Sequence, residues 1–153
     1  RAVRTAVSLP ISVKLAPNVP DIGRIARAVA DEGADAITAI NTMPAMLIDA
    51  RAERAVLKNR SGGLSGPALK PIALRCVYEI ARSVSIPIIG TGGVSTGLDA
   101  AEMLMAGASL VGVGSAVWKD GPAAFARISS ELLDFMMESG FRSIETMRGR
   151  AAR

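Results

Sequence analysis

The chain has no histidine, and its 153 residues include one cysteine, one tryptophan, one tyrosine and three phenylalanines. Without histidine, the usual imidazole base and most zinc-ligand sets are excluded. A lone cysteine, Cys76, rules out an internal disulfide and fits a cytoplasmic protein. No stretch approaches the ~20 apolar residues of a membrane span, and none has the order of a signal peptide. Aromatics make up 3% of the residues against a net charge of +4, so the basic and aromatic interleaving of a nucleic-acid surface is missing. The arginines near the ends (Arg1, Arg4, Arg148, Arg150, Arg153) read as solvated, with some attraction for anionic ligands.

What is present is aliphatic. Half of the residues are hydrophobic, dominated by Ala, Val, Ile and Leu, a mix that suits parallel strands covered by helices. The length fits one domain with a sizeable core. Two apolar runs stop at glycine, Ile88-Ile89-Gly90-Thr91-Gly92-Gly93 and Val111-Gly112-Val113-Gly114-Ser115, and each is followed by helix-forming sequence. In a β/α barrel the last two strand ends build a phosphate site from backbone amides and a short helix N-terminus. Glycine also ends strands for structural reasons, but two such runs one βα unit apart point to a phosphate-bearing ligand.

Four strand-then-helix units read in order. Pro10 to Leu15 is the first strand, and Asp21 caps a helix with Ile22, Ile25, Ala26 and Val29 on one face and Gly33 at its end. Ala36 to Ile40 is the second strand, followed by a long connection from Thr42 to Gly66, of a length that is usually functional. The next helix starts at Pro67, carries Ile72, Cys76, Val77 and Ile80, and stops before Pro87. Ile86 to Gly90 and Ser109 to Val113 are the last two strands. Their helices run from Thr96 to Ala106 and from Pro122 to Met137, the latter with Phe125, Ile128, Leu132 and Phe135 inward. A short helix from Ser143 to Met147 closes the chain. The junctions Glu32-Gly33-Ala34-Asp35-Ala36 and Ala106-Gly107-Ala108-Ser109-Leu110 echo each other, as βα repeats do. Four units are half of an eight-unit barrel, and four strands cannot close one. The chain starts at Arg1 rather than methionine. The expectation is one partial domain, residues 1–153, forming the C-terminal half of a (β/α)8 barrel.

Lys14, Asn41, Thr42, Gly66, Gly92, Gly93, Gly114 and Ser115 all fall at carboxyl ends of strands or in βα loops, where barrel sites sit. Lys14 also reads as a lysine snorkelling from a strand end, and Asn41 or Thr42 alone as a turn cap. Cys76, mid-helix among apolar residues, reads as core. Trp118 reads as a packing residue, and Asp21, Asp31 and Glu32 as helix ends and solvated surface.

Val13-Lys14-Leu15-Ala16-Pro17-Asn18-Val19, Ile40-Asn41-Thr42, Gly62-Gly63-Leu64-Ser65-Gly66-Pro67-Ala68 and Ile88-Ile89-Gly90-Thr91-Gly92-Gly93 strongly resemble the dihydroorotate dehydrogenases, in order and spacing, from about Pro10 into the Phe125 helix. The Asn41 to Gly66 connection resembles the catalytic subunit of the NAD-linked, two-protein subtype. The resemblance implies an FMN-containing (β/α)8 barrel, an oxidoreductase that turns dihydroorotate into orotate in pyrimidine (UMP) biosynthesis. By position it implies Lys14 near the flavin's pyrimidine edge, where a cation favours the charge of the reduced ring. Ile40 and Gly66 are implied to touch FMN, Gly92, Gly93, Gly114 and Ser115 to hold its phosphate, and Asn41 and Thr42 to bind orotate. The subtype's catalytic cysteine lies in an earlier loop, so no catalytic acid or base is assigned here and the base is expected N-terminal to Arg1. The implied partners are a second catalytic subunit and a separate FAD and iron–sulfur subunit linking to NAD. Neither nucleic acid nor a membrane is implied. The competing readings are a dihydropyrimidine dehydrogenase-like barrel, against which the Thr42 to Gly66 connection argues as short for that family, a non-catalytic FMN- or phosphate-binding half-barrel, and a truncated product.

Overall fold

The computed structural model describes residues 1–152; Arg153, one of the arginines expected to be solvated, lies outside the described residues. Helix α1 (Ala2–Ala6) precedes strand β1 (Ser12–Leu15). Asp21 then starts helix α2 (Ile22–Asp31) by accepting the Arg24 amide at 2.8 Å. Gly33 turns the chain at φ 85°, left-handed backbone that glycine adopts freely, into strand β2 (Ala36–Ala39). Strands β3 (Met43–Met46), β4 (Ile48–Asp49), β5 (Arg54–Ala55) and β6 (Ser61–Leu64) follow, β3 pairing with β6 and β4 with β5, both antiparallel. A 3₁₀ turn at Pro67–Leu69 runs into α3 (Lys70–Ala81), then β7 (Ile88–Thr91), α4 (Gly97–Ala106), β8 (Leu110–Gly112), α5 (Ser115–Asp120), α6 (Ala123–Glu138), α7 (Ile144–Met147) and a last 3₁₀ turn at Arg150–Ala152. Among the described residues no helix is long and apolar enough to cross a membrane.

The four parallel strands lie side by side in the order β1-β2-β7-β8. This is the α/β architecture expected of a partial barrel, with each strand and its helix making one unit. Alternation along the strands divides the sheet. Val13, Leu15, Ile37, Ala39, Ile88 and Gly90 meet the helices, with Cys76, Val77 and Ile80 of α3 and Met103 of α4 filling the core. The other face carries the row Lys14, Thr38, Ile89 and Leu110, matched in register across all four strands. Leu110, in that row, is 63% exposed. In a closed barrel this face would be the interior.

Two expected packing roles are corrected. Trp118 is 95% exposed. On the short α5 it is Ala116 that turns inward, and a residue two positions on points about 200° away. Phe125 is also exposed; α6 seats Ala124 and Ile128, and Phe125 falls at the margin of that stripe. The Thr42 to Gly66 connection is not an open loop but two antiparallel ribbons. Its strand pattern is masked by Pro44, Gly62 and Gly63, yet Gly63 is required there: the Thr42 side chain occupies the place where a Cβ would stand.

Gly97 begins α4 directly beneath α6, where a Cβ would run into the Glu131 carbonyl carbon and the Leu132 amide. Because those neighbours are backbone, Gly97→Ala is expected to cost about 1–3 kcal/mol, the range for overpacking. A denaturant midpoint equal to that of the parent chain would contradict this close seating of α4 on α6.

Candidate functional site

Three turns converge where β7 and β8 end. Gly66, at φ 84°, leads into the Pro67–Leu69 turn; Gly92 and Gly93, at φ 132° and 77°, follow β7; Gly114 leads into α5 at Ser115. A Cβ on Gly66 would lie 3.9 Å from the Ser115 hydroxyl, so these two turns touch. A Cβ on Gly92 would come within 2.8 Å of Ala73 and 3.4 Å of Ile40, and one on Gly93 within 2.6 Å of the Lys70 amide nitrogen. Both positions are therefore glycine by packing as well as by conformation. Gly114 differs: its φ is −118°, and a Cβ there would meet nothing within 4 Å. It borders open space. The amides of Gly92, Gly93, Gly114 and Ser115 have no acceptor among the described residues. Unpaired N–H groups just past the carboxyl ends of two adjacent strands are donors that an anion can use. A cavity of about 450 Å³ lined by Pro67, Ser95, Thr96, Ser115, Lys119 and Arg127 opens beside it.

The loop carrying Gly92 and Gly93 is held by charges that the sequence reading passed over. Asp99 accepts the amides of Ser95 and Thr96, each at 2.9 Å, while the Thr96 hydroxyl accepts the Asp99 amide at 3.2 Å. The signal was legible, since Thr96-x-x-Asp99 is a capping box. Lys70 at the start of α3 pairs with Asp99 at 2.6 Å and with Glu102 at 2.7 Å. Burial works against the ionised form of Asp99, but the Lys70 ammonium and the loop amides outweigh it and hold the carboxyl below its ordinary range. The same hydrogen bonds, that to Asp99 first, push Lys70 up. On the far side of the loop, Arg127 of α6 reaches the Ser95 carbonyl and Asp120.

The remaining expected residues form a second group at the ends of β1 and β2. Lys14 is exposed and stands opposite Thr38. The Asn41 amide donates to the Leu15 carbonyl at 2.8 Å, which brings Asn41 beside Lys14 in the chain that precedes Leu15. Thr42 stands at the root of the β3–β6 ribbon, against Gly63. Ile40 is buried against Gly92, its amide donating to the Thr91 carbonyl at 2.9 Å, and so connects this group to the glycine cradle. No hydrogen bond joins Lys14 to the cradle among the described residues; it also lines a groove of about 730 Å³ along the free edge of β1. Cys76 is fully buried in α3, and burial pushes its thiol up, as befits a core residue.

A family model described as dihydroorotate dehydrogenase matches residues 1–136. The catalytic subunit of dihydroorotate dehydrogenase B (NAD(+)) from Methanothermobacter thermautotrophicus is 52% identical over 151 residues, 98% of this chain and 50% of that protein. Its counterpart from Geobacter sulfurreducens is 49% identical over 149 residues, 97% of this chain and 48% of that protein. The chain thus spans about half the length of the curated relatives it matches. A crystal structure of DHODH in complex with ferulenol from Eimeria tenella superposes with a TM-score of 0.79 at 31% identity, covering 94% of this chain and 39% of that one.

Because the Asp99 carboxyl is held low when folded, its contribution is complete above the unfolded value, near pH 4, and is lost as pH falls through the folded value. Asp99→Asn is expected to be less stable by ~1–2 kcal/mol near pH 7. Denaturant titrations across pH should show that gap closing below about pH 4; a gap constant from pH 3 to 6 would remove the ionised carboxylate from the account.

Proposed function

Because the chain belongs to the dihydroorotate dehydrogenase family, we propose that the complete protein is an FMN-dependent enzyme that oxidises dihydroorotate to orotate in pyrimidine biosynthesis. In this reading residues 1–153 are the C-terminal half of its barrel. The observation that carries it is the set of amides at Gly92, Gly93, Gly114 and Ser115 without an acceptor among the described residues, with open space beside Gly114. A phosphate monoester dianion needs several N–H donors and no side chain in the way, and the cradle supplies both. When bound, FMN supplies the acceptor for the two electrons and hydrogen removed from the substrate.

The chain's own residues then divide the work. The cradle anchors the phosphate, with the Ser115 hydroxyl as an additional donor, and Ile40 and Gly66 border the cofactor. Lys14 presents a fixed positive charge toward the flavin's pyrimidine edge. Asn41 offers both a donor and an acceptor to the alternating groups of a pyrimidine ring, and Thr42 a hydroxyl beside it. The resemblance puts the base that takes the substrate proton on a cysteine loop N-terminal to Arg1, and Cys76, sealed in the core, is not placed to serve in its stead. That its relatives are named catalytic subunits of the NAD(+) type supports a separate partner subunit; in this reading the partner carries FAD and an iron–sulfur cluster, two catalytic subunits pair, and the enzyme acts in the cytoplasm.

The complete protein is expected to be isolated yellow, to release FMN on denaturation, and to form orotate from dihydroorotate. A colourless preparation that FMN cannot reconstitute would overturn the proposal. Gly114→Val provides a sharper check. With nothing within 4 Å of the new Cβ, its unfolding free energy should stay within ~0.5 kcal/mol of the parent's. Its FMN affinity should fall about tenfold or more, the size of a lost charge-assisted contact. Unchanged affinity would show that the phosphate lies elsewhere.

A further inference from the structure

The cradle draws its amides from two separate stretches of chain, the loop after β7 and the start of α5, with all of α4 and β8 between them. Something must hold those stretches at a fixed spacing. Arg127, on α6, touches both. Its guanidinium donates to the Ser95 carbonyl at 3.0 Å on the loop and to Asp120 at 2.6 Å at the end of α5. A third bond, to Glu131 at 2.8 Å, orients the fork, and Glu131 also accepts the Gly97 amide at 2.6 Å where the loop enters α4. Arg127 lines the same cavity as Ser95 and Ser115 without being among the cradle donors.

We propose that Arg127 is a positioning residue for the phosphate cradle, setting the distance between the β7 loop and α5 through one rigid guanidinium. The inference rests on reading the cradle as the FMN phosphate site. The side chain is 39% exposed, so its ion pairs add little stability by themselves. Their value lies in geometry. Both acceptors take hydrogens of the same Nη2, whose two N–H bonds are fixed in the guanidinium plane, while Glu131 holds Nη1; a lysine ammonium turns freely about its stem and fixes no such plane. A shift of the cradle would weaken contacts to the phosphate while sparing those to the isoalloxazine ring.

The test compares the apparent affinities of the complete protein for FMN and for riboflavin, which lacks the phosphate. The parent should prefer FMN. Arg127→Met, and Arg127→Lys, which keeps the charge and serves if the first variant folds poorly, should each lower the FMN-to-riboflavin ratio about tenfold with riboflavin affinity unchanged. Arg75→Met removes another helix-surface arginine, paired with Glu79 at 2.8 Å and remote from the loop; it should leave the ratio intact. A parent protein without preference for FMN would overturn the phosphate reading itself. A preference retained in both Arg127 variants, or an equal loss for both flavins, would overturn the positioning role alone.

Discussion

Where β7 passes beneath α3 and α4, Gly90 comes so near Ala108, Met103 and Val77 that a Cβ would stand 2.9 Å from the Ala108 methyl and 3.3 Å from the Met103 sulfur. Aliphatic side chains from β1, β2 and β7 continue that contact on either side, with Ile37, Ile80 and Val77 fully withdrawn from water. This one-sided seating of helices on a parallel sheet determines the rest. It fixes which way each strand alternates, and therefore which residues emerge at the strand ends. It also brings the start of α3 against Gly93 and Ile40 against Gly92. The cradle is a by-product of close helix–sheet packing, finished by a few polar contacts.

Those polar contacts work on unequal terms. Lys70 and Asp99 are largely withdrawn from solvent and meet at 2.6 Å, so each needs the other once the loop is folded. The Arg127 group is more open and contributes mainly direction. Both sets converge on Ser95 and Thr96, one side of the loop through its amides and the other through a carbonyl. A loop rich in small residues thus has little freedom left, although it contains few side chains of its own to anchor it.

The elements visible in the sequence were those whose signal is local. Asp21 as a cap and Gly33 and Gly107 as stops each depend on neighbours within a turn, and each stands where local chemistry puts it. The strand ends bearing the cradle glycines were legible for the same reason. The ribbons between Thr42 and Gly66 were not, because their logic is reciprocal: Gly63 makes sense only once Thr42 lies across from it. Spacing alone misplaced Trp118 and Phe125 in the packing, since the partner that selects a helix face is remote in sequence. The roles of Arg127, Asp120 and Glu131 follow only from α6 resting against the loop after β7, a contact remote in sequence.

The strand order β1-β2-β7-β8 grades the sheet from its middle outward. Among the described residues, strands β2 and β7 are bonded on both sides, whereas β1 and β8 are each bonded on one, so in residues 1–153 by themselves amide exchange should be slowest at the centre and fastest at the rims. The glycine cradle and the Lys14–Asn41 group straddle that gradient: Gly92 and Gly93 leave a central strand, Ser115 follows one outer strand, and Lys14 belongs to the other. A ligand that engages all of them has to wait for the rims to be in place, and once bound it keeps them there, since whatever binds only the intact arrangement deepens it by mass action. Occupancy would then be a source of cohesion, with the least persistent strands fastened to the most persistent pair through the bound molecule itself.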